Sequence, residues 1–201
     1  MTTRALEDVE IKSIFEHVSG TNAKRNETLL IAGIGMALRA SELVGLNVGD
    51  VYDGAGGLRR RGRPRTADGT AGTAKQVKSY VTIRAETAKF NKERIIRIGD
   101  GIQNTIADFI EWKVSKGESI DLGTPLFVSR KGGHLTRIAL FQIVKKIFSK
   151  ASIDQSPHCL RKTGSTIYYV QSNYDLIATQ LFLGHADPST TRRYIGLTTN
   201  Q

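Results

Sequence analysis

The chain has 201 residues, 39% hydrophobic and 24% charged, which is typical of a soluble globular protein with room for one large domain or two small ones. Its single cysteine excludes an intramolecular disulfide, and the longest apolar run, residues 29–38, is about half of the ~20 residues that a membrane span requires. We therefore expect a cytoplasmic protein without membrane contact, and the formal net charge of +10 predicts a polyanionic partner, most simply nucleic acid.

Three helices are predicted before residue 46. Apolar residues at helical spacing indicate an amphipathic helix over residues 6–18. Asn26 is the predicted cap of a second helix, apolar on most sides, that runs to about Leu38 and should lie in the core. Ser41 is the predicted cap of a short third helix that breaks at Gly45.

Residues 54–78 have an unusual composition. They contain six glycines and only two aliphatic residues larger than alanine, and their seven lysines or arginines against one acid give a net charge of +6. Such a segment cannot bury enough apolar surface to offset the entropy lost on ordering. We therefore predict a disordered basic loop at this position.

Regular structure is expected again after this loop. Alternating residues predict strands over 80–84 and 94–98, joined by a hairpin or longer turn that holds Lys89, and a short buried strand is expected at residues 126–128. The remaining helices are predicted from their caps, prolines and glycines, and they cover residues 102–115, the segment after Thr136, residues 157–170 and the segment from Asp175 to Gly184.

The last predicted element carries a tyrosine. His185, in a Leu-Gly-His turn, precedes Tyr194 by nine residues. Asp187 can accept hydrogen bonds from the free amides of the next turn, and Pro188 suits the first helical position, so a short helix should begin there. On its own, this stretch is also compatible with an ordinary helix end that carries a half-buried tyrosine.

Four segments, taken in order, identify a family. They are residues 38–46 (LRASELVGL), 89–94 (KFNKER), 158–163 (HCLRKT) and 183–194 (LGHADPSTTRRY). This series resembles the catalytic domain of the tyrosine recombinases, the phage-integrase family, and the resemblance runs from about Leu6 to Tyr194. It implies an α+β fold, mostly helical with a small antiparallel β-sheet, and one catalytic domain over residues 1–201 that contains the basic insert 54–78.

The resemblance also implies an activity, site-specific recombination of duplex DNA through a 3′-phosphotyrosyl intermediate. Tyr194 matches the nucleophile, and Arg39 and Arg161 match the pair that binds the non-bridging phosphate oxygens. Lys89 matches the general acid that protonates the leaving 5′-oxygen, and His158 matches the histidine that assists proton transfer from the tyrosine.

Two further residues complete the implied site. His185 matches a second phosphate donor, and Glu42 matches an acidic residue that orients the site. No metal is expected, because the arginines supply the positive charge that a metal would otherwise bring. No nucleotide cofactor is expected either, since the sequence lacks a phosphate-binding-loop motif and rejoining needs no ATP.

Other interpretations remain open. A type IB topoisomerase-like nicking and rejoining enzyme would use the same residues without strand exchange, and a non-catalytic DNA-binding protein could regulate recombination sites. The expected partners are double-stranded DNA and further copies of the chain assembled on it. The family pattern begins almost at Met1, so a minimal enzyme and a fragment of a longer protein are both compatible with the sequence.

Additional DNA contacts are expected from basic residues outside the catalytic set. Within the insert, residues 60–65 (RRGRPR) resemble an AT-hook, which lies in a narrow A·T-rich minor groove, but a nonspecific basic loop is the favoured interpretation because short basic runs match many sequences. The residues concerned are Arg60, Arg61, Arg63, Arg65 and, near the predicted general acid, Lys92.

Overall fold

The computed structural model describes residues 3–54, 77–87, 93–185 and 187–195. Within these ranges the elements, in chain order, are α1 (Asp8–Glu16), α2 (Ala23–Gly35), α3 (Ala40–Val44), α4 (Val48–Val51), β1 (Tyr80–Ile83), β2 (Arg94–Arg97), α5 (Asp100–Ser115), α6 (Arg137–Lys150), α7 (His158–Gln171), α8 (Leu176–Leu183) and α9 (Pro188–Ile195). The predicted fold class, a mostly helical α+β domain with a small antiparallel sheet, is confirmed.

Helix α2 lies at the centre of the fold, where it packs against both α5 and α7. At Gly164, α7 lies so close to α2 that a Cβ on this residue would collide with the backbone carbonyl of Ile34. This close approach brings the first turns of α7, which begin with His158, against the carboxyl end of α2.

The second helix begins and ends earlier than predicted. Asn22, not Asn26, is the residue before its first turn, and the helix ends at Gly35 because Ala37 adopts a left-handed φ of 45°. The predicted end near Leu38 is therefore wrong. After the turn at Ala37 the backbone is extended at Arg39, the residue that precedes the short helix α3.

Helix α3 breaks at Gly45 as predicted, but Ser41 is not its cap. The residue at the cap position is Arg39, whose backbone N–H donates a 2.7 Å hydrogen bond to the side chain of Glu42. The carboxylate at the third helical position thus satisfies the backbone amide of the cap residue itself, which is the glutamate half of a capping box.

Strands β1 and β2 pair antiparallel, with Tyr80 opposite Arg97 and Ile83 opposite Arg94. Both strands were predicted, and their alternation is confirmed where Val81 and Ile96 point into the core. Lys89 and Lys92, between the strands, lie outside the described residues.

The predicted basic loop lies outside the described residues except at its ends. Tyr52 pairs antiparallel with Val77, and the backbone N–H of Lys78 donates a 2.9 Å hydrogen bond to the carbonyl of Val51. The positions at which the chain enters and leaves residues 55–76 are therefore adjacent in the fold.

Two of residues 126–128 are buried, Leu126 and Phe127, and Val128 is half-buried, but the stretch does not form the predicted strand. Leu126 and Phe127 are inaccessible to solvent, while the only ladder contacts of this stretch among the described residues are single pairings of Pro125 with Asn47 and of Val128 with His134. A strand needs consecutive pairings with its neighbour, and this segment has only single ones. It is therefore an irregular segment that packs in the core.

The caps of the later helices agree with the sequence. The Thr136 hydroxyl accepts from the backbone of Ala139, and the Asp175 carboxylate accepts from the first turn of α8. Gly184 ends α8 in a left-handed conformation (φ 62°). No helix in the described ranges combines the length and the apolar character that crossing a bilayer requires.

Candidate active site

The candidate site is built around one buried carboxylate, that of Glu42. This side chain is inaccessible to solvent and lies in the first turn of α3. Arg39, at the start of the same helix, binds it twice, through its backbone N–H at 2.7 Å and through Nη1 at 2.8 Å. The backbone and side chain of Arg39 are therefore held by the same carboxylate.

Two distant arginines converge on the same carboxylate. Arg94, the first residue of β2, donates Nη1 to Oε1 of Glu42 at 2.6 Å and Nη2 to Oε2 at 2.8 Å. Nη1 of Arg161, on α7, lies 3.7 Å from Oε2. Three guanidinium charges against one carboxylate leave a net charge of +2, which makes this a site for an anion.

The guanidinium of Arg161 is held by backbone carbonyls from two other elements. Nη1 donates to the carbonyl of Ala37, in the left-handed turn after α2, and Nη2 donates to the carbonyl of Leu183 at 2.9 Å. Burial and the neighbouring charge of Arg39 lower the pKa of Arg161 to about 10, so the side chain is still a cation at neutral pH.

His185 lies between Arg161 and helix α9. Its Nε2 is 3.4 Å from Nη2 of Arg161, and its Nδ1 is 3.0 Å from the hydroxyl of Thr191. Because the guanidinium can only donate, Nε2 accepts and Nδ1 carries the ring proton. The buried Thr191 hydroxyl therefore faces the protonated nitrogen.

Helix α9 brings Tyr194 against the start of α7. The phenol oxygen lies 2.9 Å from Nε2 of His158, with the two rings edge to face, and the guanidinium carbon of Arg161 lies 5.8 Å from the centre of the phenol ring. Burial raises the pKa of Tyr194 to about 12, against the opposing charges of Arg161 and Arg39. The phenol is therefore protonated at neutral pH and needs a base in order to act as a nucleophile.

His158 is suited to be that base. Burial, followed by the charges of Arg161 and Arg39, lowers its pKa from the ordinary 6.5, so the imidazole is neutral at neutral pH. A neutral Nε2 that accepts from the phenol can take its proton. Next to it, the guanidiniums of the buried Arg161 and the half-buried Arg39 offer fixed donors for an oxyanion, so the arrangement suits attack of a phenol on a phosphodiester.

The described part of the predicted site comes together in one place, and it consists of Arg39, Glu42, His158, Arg161, His185 and Tyr194. The other predicted residues lie outside the described residues, so their roles stay predictions, and they are Lys89, Lys92, Arg60, Arg61, Arg63 and Arg65.

Three residues of the site were not assigned a role from the sequence. They are Arg94, at the end of one family segment, Thr191, within the last family segment, and Gly184, a predicted helix end. The signal for Arg94 is chemical, because a buried glutamate beside two arginines that are predicted to bind phosphate needs a counter-ion of its own.

A thiolate nucleophile and a metal centre find no support among the described residues of this region. Burial raises the pKa of the Cys159 thiol to about 12, so this neighbour of His158 is not a thiolate nucleophile at neutral pH. Among the described ranges, no three histidine, cysteine or acidic side chains are grouped as metal ligands.

Comparisons with known proteins point to one family. Residues 4–201 match the phage integrase family. The chain is 28% identical over 202 residues to the tyrosine recombinase XerD of Halalkalibacterium halodurans, which covers 97% of this chain and 58% of the relative. The chain therefore spans about three fifths of the length of the curated relatives it matches.

Solved structures support the same fold. The crystal structure of XerA recombinase has a TM-score of 0.71 at 21% identity and covers 99% of this chain and 62% of its own. The XerH site-specific recombinase bound to palindromic difH substrate, a post-cleavage complex, has a TM-score of 0.67 at 22% identity and covers 96% of this chain and 50% of its own.

Proposed function

Because the chain belongs to the phage integrase family, we propose that residues 1–201 are the catalytic domain of a site-specific DNA recombinase. The domain cleaves one strand of duplex DNA by attack of Tyr194 on a phosphodiester. The products are a 3′-phosphotyrosyl link and a free 5′-hydroxyl, and a 5′-hydroxyl from the same or another strand later reverses the reaction.

The observation that carries this proposal is the 2.9 Å contact between the Tyr194 phenol and Nε2 of His158, beside the Arg161 guanidinium. A nucleophile within hydrogen-bond reach of a neutral base, with anion donors next to it, is the arrangement that phosphoryl transfer needs. A protein that only binds DNA has no need for this pairing.

The steps follow from the positions of the groups. His158 takes the phenol proton as the tyrosine oxygen forms its bond to phosphorus, and Arg39 and Arg161 hold the non-bridging oxygens while negative charge builds there. The bond to the 5′-oxygen breaks, and Lys89, whose assignment rests on the sequence, supplies the proton that this oxygen needs. The phosphotyrosyl bond retains the energy of the broken bond, so rejoining needs no ATP.

His185 requires a proton on Nε2 to act as the second phosphate donor. In this structure its Nε2 accepts from Arg161 and its Nδ1 faces the Thr191 hydroxyl. Donation to a phosphate oxygen therefore calls for a different proton position, either the imidazolium or the tautomer in which Nδ1 accepts from Thr191.

Duplex DNA and a second copy of the chain are the proposed partners. The net charge of +10 and the three arginines at Glu42 favour a polyanion. The XerH substrate is palindromic, and a palindrome offers two equal half-sites to two copies of one protein. The basic insert 54–78 and Lys92 are proposed to add phosphate contacts.

A trapping experiment tests the proposed cleavage. The probe is a library of duplex oligonucleotides that each carry one nick within a randomised region. Cleavage near the nick releases a short fragment with the 5′-hydroxyl that rejoining needs, so the covalent complex accumulates. We expect wild type to form complexes that survive denaturation with a subset of sequences, and Tyr194→Phe to bind DNA but form none.

The alternatives give different results. Relaxation of supercoiled plasmid without recombinant products, with adducts at unrelated sequences, would indicate a topoisomerase-like enzyme. Tight binding to selected sequences without any adduct would indicate a non-catalytic regulator and would overturn the proposal.

A further inference from the structure

We infer that Arg94 is a positioning residue of this active site, which holds Glu42 so that Arg39 and Arg161 stay spaced for a phosphate. The inference rests on the proposed function and adds a residue and a mechanism to it. Three observations carry it: the geometry of the Arg94–Glu42 pair, the separation of Arg161 from the same carboxylate, and the contact of Arg94 with the turn before His185.

Arg94 and Glu42 form a two-pronged ion pair. Both terminal nitrogens of Arg94 donate to the two carboxylate oxygens, at 2.6 and 2.8 Å, and the side chain is only 9% exposed. Paired in this way, the fork of the guanidinium faces the carboxylate and not the space where a phosphate would lie. Arg94 therefore acts on the reaction through Glu42.

Saturation of Glu42 keeps Arg161 apart from it. Nη1 of Arg161 lies 3.7 Å from Oε2 of Glu42, beyond hydrogen-bond distance, while the same nitrogen donates to the Ala37 carbonyl. Without Arg94, two carboxylate oxygens would lose their strongest donors in a buried setting. Arg39 already donates to Glu42 at 2.8 Å, so the guanidinium that would then be drawn onto the carboxylate, and away from its phosphate-binding position, is that of Arg161.

Arg94 also supports the turn that carries His185. A Cβ built on Gly184 would lie 2.8 Å from Cδ of Arg94, so the arginine stem packs directly against this glycine. Gly184 is left-handed at φ 62°, which gives two reasons for glycine at this position. One side chain thus connects the buried carboxylate, the sheet and the turn before His185.

The test measures single-turnover cleavage by the 201-residue chain. The substrate is a DNA sequence recovered in the trapping experiment, made with two forms of the scissile group. One is the natural phosphodiester, and the other is a methylphosphonate, in which a methyl group replaces one non-bridging oxygen and removes its charge. A neutral phosphoryl group gathers less negative charge during attack, so it depends less on correctly placed guanidiniums.

We expect Arg94→Ala to slow cleavage of the phosphodiester on the order of 10- to 100-fold, less than the loss of a direct oxyanion donor. The same variant should cleave the methylphosphonate within about 5-fold of the wild-type rate, because the misplaced arginines matter less there. Arg94→Lys keeps the charge without the two-pronged pairing, so it should fold and show the same selective defect.

Arg84→Ala is the matched control. Arg84 follows directly after β1 and pairs with Asp50 at 3.2 Å, with its side chain 30% exposed and no contact to Glu42 among the described residues. Its loss should leave both substrates within about 3-fold of wild type, as expected for a partly exposed ion pair. Circular dichroism and thermal unfolding identify any variant that fails to fold.

The outcomes separate the two proposals. Failure of wild type to form any adduct would refute the proposed function. Wild-type adducts with an Arg94→Lys rate equal to that of Arg84→Ala, or with equal losses on both substrates, would refute the positioning role alone. As a further check, Glu42→Ala combined with Arg94→Ala should be little slower than Glu42→Ala, since the two residues act through one contact.

Discussion

The phenol oxygen of Tyr194 lies 2.9 Å from Nε2 of His158, 36 residues earlier in the chain. The contact joins the first residue of α7 to the last helix described, and the two rings meet edge to face with centres 5.5 Å apart. The proposed nucleophile and the proposed base therefore lie within hydrogen-bond distance of each other.

This pairing predicts the pH dependence of cleavage. Burial and the charges of Arg161 and Arg39 lower the pKa of His158 below 6.5, so the base is protonated and inactive only in acid. The single-turnover rate of adduct formation should rise with pH along a limb centred below 6.5 and be level through neutral pH. His158→Gln should be slower and lack this limb, and a wild-type limb centred at or above 6.5 would contradict the assigned role.

Glu42 predicts the stability of the fold in acid. Burial raises the pKa of this carboxyl, but the hydrogen bonds and charge of Arg94 oppose burial and hold the value at about 2, against 4.5 for an ordinary glutamate. A carboxyl whose pKa is lowered in the folded state stabilises the fold at pH values above its pKa in the unfolded chain. This stabilisation is lost as the pH falls from 4.5 towards 2. The difference corresponds to about 3 kcal/mol.

Glu42→Gln should therefore lower the free energy of unfolding at pH 7 by about 3 kcal/mol and flatten its decline in acid. Chemical denaturation across this pH range measures both effects. Glu10→Gln is the control, because Glu10 has a pKa lowered chiefly by its hydrogen bonds to the exposed Arg4, a surface pair of small energetic value. Equal losses from the two variants would show that Glu42 has no special place in the core.

Thr191 predicts an effect transmitted through His185. Its buried hydroxyl lies 3.0 Å from Nδ1 of the histidine and holds the ring in place by a hydrogen bond. Thr191→Val keeps the shape and removes the hydroxyl, so cleavage should slow by about 10-fold, roughly the value of one hydrogen bond to a group that becomes charged. Thr191→Ser keeps the hydroxyl and should cleave near the wild-type rate, and equal rates in the two variants would exclude this role.

The basic insert predicts the salt dependence of DNA binding. Its ends are adjacent in the fold through the Tyr52–Val77 pairing, so a short Gly-Ser turn can replace residues 56–76 without straining the core. We expect weaker binding and a slope of log affinity against log salt that is flatter by roughly 2 to 5 units, from the number of cations removed. Fluorescence anisotropy over a salt series measures the slope.

Two variants define what the insert contributes. Replacement of Arg60, Arg61, Arg63 and Arg65 by glutamine keeps the length of the segment and should reproduce most of the change in slope. Arg61→Ala with Arg63→Ala should remove a preference for A·T-rich duplexes if the segment acts as an AT-hook, and should weaken binding to all duplexes alike if it is a nonspecific loop. An unchanged slope after replacement of the whole segment would place it outside the DNA interface.

The sequence predicted local features well, because they depend on neighbouring residues. The caps at Thr136 and Asp175, the glycine end of α8 and both strands follow from propensity and spacing. The predicted bounds of the second helix lie too far along the sequence. The helix ends early because Ala37 adopts a left-handed conformation, which no propensity rule favours for alanine.

The site was predicted through order and family likeness, and the contacts within it were not. Arg94 lies 52 residues from Glu42 in the chain, so nothing local links them, and a basic residue at a strand start is ordinarily exposed. The role of Thr191 likewise depends on how α9 folds back over the turn that holds His185. Such contacts are set by tertiary packing, which periodicity does not encode.

The most direct test of the proposed chemistry is to locate the covalent bond. Wild-type adduct from a nicked duplex is digested with trypsin and nuclease, and the modified peptide is identified by mass spectrometry. We predict a nucleoside 3′-phosphate on the phenol of Tyr194, with a free 5′-hydroxyl on the released strand. A nucleotide on another residue, or a 5′-phosphate link at Tyr194, would contradict the proposed mechanism.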